Sequence, residues 1–254
     1  MTDARPLPRR SLGQNFLVDE NILGVVERLA GLDPADVVLE VGPGLGVLTR
    51  FLATRVGFVH AVEVDRRLES HLAGIEHVAL HWEDALRLDI RSLEPPPSKL
   101  VANLPYNIAT PLVVESLAQQ QLRSWCVMVQ REVADRFFAR PSTKAYGAVS
   151  VLVQLAAERT GSHAVSREVF RPRPNVESAL VAFTRTAPGA DERTKRVVEA
   201  AFSHRRKTLA NALALSGVAD RERAAAALAA IGRDASSRAE MLAPPEFVVL
   251  AEGL

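Results

Sequence analysis

Along the first two-thirds of the chain, short apolar runs alternate with stretches whose apolar residues recur every three or four positions. Val37-Val38-Leu39-Glu40-Val41 is apolar on successive positions, rich in β-branched residues and followed by a glycine turn, as expected of a strand buried on both faces. Strands are expected on this basis at 37–41, 58–64, 77–82, 99–102, 125–129 and 176–184. Helices are expected at 47–55, where Leu48, Phe51 and Leu52 share a face, and at 65–72, 110–119, 131–139 and 148–157. Thr110 is the expected N-cap of its helix, with Pro111 at the first helical position. Strands alternating with helices imply an α/β fold whose parallel sheet is covered on both faces. Beyond Thr186-Ala187-Pro188-Gly189 the strand signal stops, and 191–203, 207–215, 221–231 and 245–252 read as Ala- and Leu-rich helices. The expected organisation is an α/β domain over 1–187 followed by a small all-helical domain over 188–254.

Composition narrows the class without changing this picture. The 254 residues are 48% hydrophobic and 24% charged, ordinary values for a soluble globular protein. No apolar run approaches the roughly 20 residues needed to span a bilayer, so no membrane partner is expected. Met1 to Arg10 carries basic residues with no apolar run behind them, unlike a secretory leader. The single cysteine, Cys126, cannot form an internal disulfide, and its setting in Trp125-Cys126-Val127-Met128-Val129 suits a small core residue better than a reactive thiol. A cytoplasmic location is expected. Formal net charge is only +1, yet residues 159–207 hold eleven Lys or Arg against five Asp or Glu. A basic stretch in an otherwise acidic chain suits a polyanionic partner, although a solvated basic face would have the same composition.

The candidate chemistry lies where strands are expected to end. Gly42-Pro43-Gly44-Leu45-Gly46 follows the first strand and opens a helix, so its glycines let the backbone approach a ligand at the carboxyl edge of the sheet. NAD, FAD and S-adenosylmethionine sites all use such turns; the third glycine here comes two residues after the second rather than three, which weakens the dinucleotide reading. Glu63, about twenty residues on at the end of the second strand, is placed to accept from two ribose hydroxyls. Asp84, read as ending the third strand, can accept from a cofactor's adenine amine. Asn103-Leu104-Pro105-Tyr106 follows the apolar Leu100-Val101-Ala102. An adenine amine is a poor nucleophile because its lone pair is delocalised into the ring. Accepting its two hydrogens on the Asn103 side-chain oxygen and on a backbone carbonyl near Leu104 draws the nitrogen towards tetrahedral geometry and frees that pair. Pro105 fixes the preceding carbonyl, and Tyr106 can stack on the base, a contact worth roughly 1–3 kcal/mol. An adenosine-containing cofactor beside an amine-gripping motif points to methyl transfer.

With these motifs the chain resembles the ribosomal RNA adenine dimethyltransferase family, in its bacterial small-subunit branch. The resemblance runs from about Arg9 to the C-terminal helices, through Leu12-Gly13-Gln14-Asn15-Phe16-Leu17, Glu40 to Gly46, Glu63-Val64-Asp65, Asp84-Ala85, Asn103 to Ile108, Gln130 to Ala134, Tyr146-Gly147, Val169 to Ser178, and Phe202 to Leu213. It implies a Rossmann-like methyltransferase domain followed by a helical RNA-binding domain, S-adenosylmethionine as cofactor, no metal, and dimethylation of two adjacent adenosines near the 3′ end of small-subunit (16S) ribosomal RNA, by a chain acting as a monomer. Matched residue by residue, Asn15, Leu17, Gly42, Gly44, Glu63, Asp84 and Asn103 would contact the cofactor, with 15–17 folding over it. Asn103, Leu104, Pro105, Tyr106 and Phe170 would form the catalytic site, Tyr106 and Phe170 sandwiching the target base; taken alone, Phe170 reads as a hydrophobic plug. Arg171, Arg173, Arg205, Arg206 and Lys207 are the candidate ligands of RNA phosphates. A large-subunit ribosomal RNA methyltransferase, a ribosome-assembly factor with secondary catalysis and a nicotinamide dehydrogenase are the alternatives.

Overall fold

The computed structural model describes residues 7–9 and 12–254; most of the stretch weighed above as a leader lies outside these residues. The chain forms two compact units, one of residues 1–134 with 159–185 and the other of 135–158 with 186–254. Residues 135–158 therefore group with the C-terminal helices, whereas the sequence pattern placed them with the sheet. A helical pattern shows that an apolar face exists but not which neighbour covers it.

In the first unit, β1 (Phe16–Leu17) pairs antiparallel with β8 (Phe170–Arg171). The remaining strands are β2 (Val37–Val41), β3 (Phe58–Val62), β4 (Val78–His81), β5 (Lys99–Asn103), β6 (Ser124–Gln130), β7 (Ala157–Val165) and β9 (Ser178–Arg185), in the sheet order β4-β3-β2-β5-β6-β9-β7. The pairs β2–β3, β3–β4, β2–β5 and β5–β6 are parallel, but β6–β9 is antiparallel. The sheet is thus mixed, which corrects the parallel expectation: an apolar run reports burial, not direction. Strand β7 was not foreseen because it lies at the sheet edge and exposes most of its polar residues.

Successive strands run outward from β2 to β3 and β4 on one side and from β5 to β6 on the other. Loops leaving β2 and β5 diverge, which opens a crevice at their carboxyl ends. Beneath it, Val38, Val59, Ala61, Val101 and Met128 pack with Ile22, Leu23 and Val26 of α1 (Asn21–Ala30) and with Leu48 and Leu52 of α2 (Val47–Ala53). Cys126 belongs to the same core, and burial pushes its thiol up to about 12, far from reactivity at neutral pH.

Two local expectations need correction. Strand β4 ends at His81, so Asp84 lies three residues beyond it in a loop rather than at the strand end. After α3 (Glu69–Leu72), helix α4 (Ala109–Leu117) is capped by Ile108 with no side-chain cap, so Thr110 is its second residue and not its N-cap. The turn that carries Ile108 N–H to the Pro105 carbonyl starts the helix early, and Pro111 still falls where an N–H would have no helical partner.

Helix α5 (Arg131–Phe137) follows β6. The second unit holds α6 (Ala148–Ala156), α7 (Glu192–Ser203), α8 (Leu209–Leu215), α9 (Arg221–Ala230) and α10 (Pro244–Gly253). Asp191 and Asp220 cap α7 and α9, each accepting from a backbone N–H three residues on. The Tyr146 hydroxyl is buried and donates to the Leu242 carbonyl at 2.8 Å, and Phe202 packs against Tyr146 and Phe247.

Candidate active site

A crevice open to solvent is walled by the carboxyl ends of the central strands and by residues 12–16. Asn15, Gly42, Gly44, Glu63, Asp84, Asn103, Leu104, Pro105 and Tyr106 all line it, so the structure gathers most of the site expected from sequence. Leu17 lines a smaller adjoining hollow beneath the glycine turn, together with Asn15, Glu40 and Asn103.

The glycine turn packs too closely to admit side chains. Gly42 has φ 74°, and a Cβ there would lie 3.1 Å from the Pro105 ring; Gly44 has φ 58°, and its Cβ would lie 2.9 Å from Phe16 Cδ1. Each position needs glycine for its conformation and for its neighbour. Glu63 immediately follows β3. Its Oε1 accepts from the Val64 and Asp65 N–H groups at 2.9 Å, and among the described residues its Oε2 accepts only from Gly44 N–H, at 3.3 Å. Burial raises the Glu63 pKa, and these three donors oppose the rise. Oε2 is the oxygen with room for a ligand hydroxyl. Asp84 Oδ1 accepts from the Leu86 N–H at 3.0 Å, while Oδ2 meets Arg87 only at 4.0 Å, so this exposed carboxylate also keeps accepting capacity.

Asn103 is the last residue of β5, and its Nδ2 donates to the Asn15 backbone carbonyl at 3.2 Å. That bond fixes the amide so that Oδ1 is the atom offered to a ligand's amine. Leu104 is anchored through its N–H to the Met128 carbonyl at 3.0 Å, and no donor among the described residues reaches its own carbonyl. Two acceptors on successive residues are thereby presented together. The half-buried Tyr106 ring is pinned by its hydroxyl, 2.6 Å from Ser178 Oγ, and burial keeps its phenol protonated. Ser178 is itself buried, at the start of β9.

Phe170 departs from expectation. Its side chain is fully buried in the core cluster that includes Leu17 and Leu23, and it does not line the crevice. In this structure the ring lies in the core beside Leu17, its partner in the β1–β8 pair, as the plug reading has it, and not opposite Tyr106 in the crevice. The candidate RNA ligands also separate. Arg171 donates to the Glu168 and Phe170 carbonyls, Arg173 pairs with Glu168 at 2.9 Å, and Arg205 donates to the Tyr146 carbonyl at 3.0 Å and to that of Lys144. Arg206 and Lys207 are exposed, with no side-chain partner among the described residues.

Three features were not given roles from sequence. Gln14 and Ser178 lay inside recognised motifs, but their partners are 51 and 72 residues away. Glu40 lies in β2 with 1% of its surface exposed, and its Oε2 has no hydrogen-bond partner among the described residues. Burial pushes its carboxyl up to about 8, and the neighbouring Glu63 carboxylate adds to the rise. Among the described residues, no three His, Cys, Asp or Glu side chains gather so that they could hold a metal ion.

The same arrangement of sheet and helices occurs in solved methyltransferases. A dimethyladenosine transferase from Plasmodium falciparum superposes with a TM-score of 0.74 at 22% identity, over 92% of this chain and 95% of its own. The 23S rRNA methyltransferase ErmE superposes with a TM-score of 0.63 at 28% identity, over 94% and 99%. Fold and crevice together define a Rossmann-like methyltransferase. Residues 7–240 match the family model described as ribosomal RNA adenine dimethylase, and the chain belongs to that family. The ribosomal RNA small subunit methyltransferase A of Rubrobacter xylanophilus is 48% identical over 252 residues, covering 96% of this chain and 94% of that protein.

Proposed function

We propose that the protein is a 16S ribosomal RNA (adenine-N6,N6)-dimethyltransferase that uses S-adenosylmethionine and modifies two adjacent adenosines near the 3′ end of the RNA. It would act as a monomer on small ribosomal subunits in the cytoplasm during their biogenesis. The observation that carries the reading is the Asn103 amide, oriented by the Asn15 carbonyl so that its oxygen and the unengaged Leu104 carbonyl face the crevice as paired acceptors. The small-subunit branch is favoured because the 48% identical relative bears that name, whereas ErmE stands at 28%.

The cofactor's residues fit its chemistry. Glu63 Oε2 would accept from ribose hydroxyls, Asp84 from the adenine amine, and the glycine turn would let the backbone lie against it. When bound, S-adenosylmethionine supplies an electrophilic methyl group on a sulfonium. Asn103 and Leu104 would take the two hydrogens of the target amine, bonds that strengthen as the nitrogen pyramidalises. Tyr106, braced by Ser178, would stack on the unstacked base. Arg206 and Lys207 would hold RNA phosphates directly, whereas Arg171, Arg173 and Arg205 must loosen existing bonds to do so.

The test offers radiolabelled S-adenosylmethionine to small and to large ribosomal subunits lacking their adenine methylation. Label confined to the small subunit is expected; label confined to the large subunit would select the alternative reading, and no transfer to either with cofactor binding intact would select an assembly factor.

A further inference from the structure

Residues 12–16 wall one side of the crevice, and the segment 12–17 is held by the buried Phe16 and Leu17 side chains and by hydrogen bonds at its far end, its middle and its near end. At its far end β1 pairs with β8, and the Val18 N–H continues that ladder to the Val169 carbonyl at 2.9 Å. In the middle, the Asn15 carbonyl accepts from Asn103 Nδ2. At the near end the attachment is Gln14, whose Nε2 donates to Asp65 Oδ2 at 3.0 Å while its Oε1 accepts from the Arg9 N–H at 2.8 Å. Both ends of the Gln14 amide are thereby engaged. Gly13, with φ 64°, sits next to it, where a Cβ would meet Asn107 Oδ1 at 2.9 Å.

Asp65 is built to receive Gln14. It is 3% exposed and does not line the crevice, but its N–H is one of the donors to Glu63. Arg67 grips its two oxygens from the other side, Nη2 at 2.6 Å and Nε at 2.9 Å. The Arg67 guanidinium, with Gln14, holds the Asp65 carboxyl well below the usual carboxylate range, so the receiver stays charged.

We propose that Gln14 and Asp65 form a latch that keeps the segment 12–17 closed over the crevice and sets the rate at which the cofactor exchanges. The proposal rests on the reading of the crevice as the S-adenosylmethionine site. Dimethylating two adenosines consumes four methyl groups, so spent cofactor must leave and fresh cofactor enter between transfers. Of the side-chain bonds to the segment, the one from Gln14 to Asp65 lies farthest from the β1–β8 ladder, so it can open at the near end while the ladder stays paired. Gln14 and Asp65 are positioning residues in this account: they act through the segment, not on the methyl group.

The test compares full-length wild type, Gln14→Glu and Gln14→Ala. Two readouts are taken: the dissociation rate of S-adenosylhomocysteine by stopped-flow competition, and hydrogen exchange of residues 12–17 without cofactor. Gln14→Glu sets two carboxylates face to face and is expected to speed dissociation about tenfold, as for loss of one hydrogen bond, and to lower protection of the segment. Gln14→Ala removes the bond without adding a charge and is expected to release the cofactor faster than wild type but more slowly than Gln14→Glu. No change in Gln14→Glu, or a truncation that releases as fast as the like-charge variant, would overturn the latch. A direct contact of Gln14 with the cofactor, in place of a latch, would leave protection of the segment unchanged in the cofactor-free protein. Glu63→Ala separates the two readings: unchanged affinity there would remove the cofactor assignment, while exchange in the cofactor-free protein still tests the latch.

Discussion

One hydrogen bond engages the Asn103 amide nitrogen, and its oxygen has no partner among the described residues. Removing the side chain takes away the anchor of Asn15 and, on the function proposed above, an acceptor for the target amine. Asn103→Ala is expected to lower kcat by roughly 10²–10³, the scale for losing one preorganised polar group at a reacting centre. Steady-state methyl transfer beside a cofactor titration checks this, and a fall in cofactor affinity alone with kcat intact would assign Asn103 to holding the segment only. Glu40 makes a prediction about pH. Its folded pKa of about 8 lies above the ordinary 4.5, so the unfolded chain releases the proton first as pH rises. Stability is unaffected by this group below 4.5, declines between 4.5 and 8, and then levels off. Glu40→Gln should remove that decline, giving a several-kcal/mol advantage at pH 8 and little at pH 4.5, read from denaturant melts at both values. Equal slopes for the two proteins would show the carboxyl to be ionised when folded. At this scale Asn103 and Glu63 were legible because chemistry and strand-end position agree for them. Gln14 and Ser178 were not, since their roles depend on partners supplied by distant chain.

At the scale of elements, the site depends on two turns that touch. The glycine turn after β2 and the Asn103-Leu104-Pro105-Tyr106 turn after β5 meet where Gly42 faces the Pro105 ring. Gly42→Ala would impose strain at φ 74° and press a methyl group against Pro105. Because both turns shift, cofactor affinity and turnover should fall together, whereas a substitution confined to one side would move one of them. Calorimetric titration and single-turnover kinetics read the two separately. Buried central strands were legible here as continuous apolar runs. Strands β1 and β8 were not, since two residues show no periodicity, and the burial of Phe170 opposite Leu17 could not be read from sequence. The start of α4 was misplaced for a similar reason: a favourable capping residue, Thr110, was outweighed by the turn at Pro105.

Over the whole molecule, charge is unevenly spread, with eleven of the 31 Lys and Arg between 159 and 207. Counting charges could not reveal that three of the five candidate RNA ligands already have partners within the fold. Replacing Arg206 and Lys207 together by Ala should flatten the dependence of RNA affinity on salt by roughly 0.7–0.9 for each phosphate no longer neutralised, with cofactor affinity unchanged. An unaltered salt slope would mean that other cations hold the phosphates. Helices after residue 186 were expected to stand apart from the sheet, whereas the grouping of 135–158 with them depends on packing that no local pattern records. The central claim concerns where the methyl groups go. Small subunits from cells lacking this modification, treated with the protein and labelled S-adenosylmethionine, can be analysed by primer extension and by mass spectrometry of the digested RNA. The account predicts N6,N6-dimethyladenosine at two adjacent positions near the 3′ end of the RNA, lost with Asn103→Ala. Label at another position, or no label while the protein binds its cofactor, would contradict it.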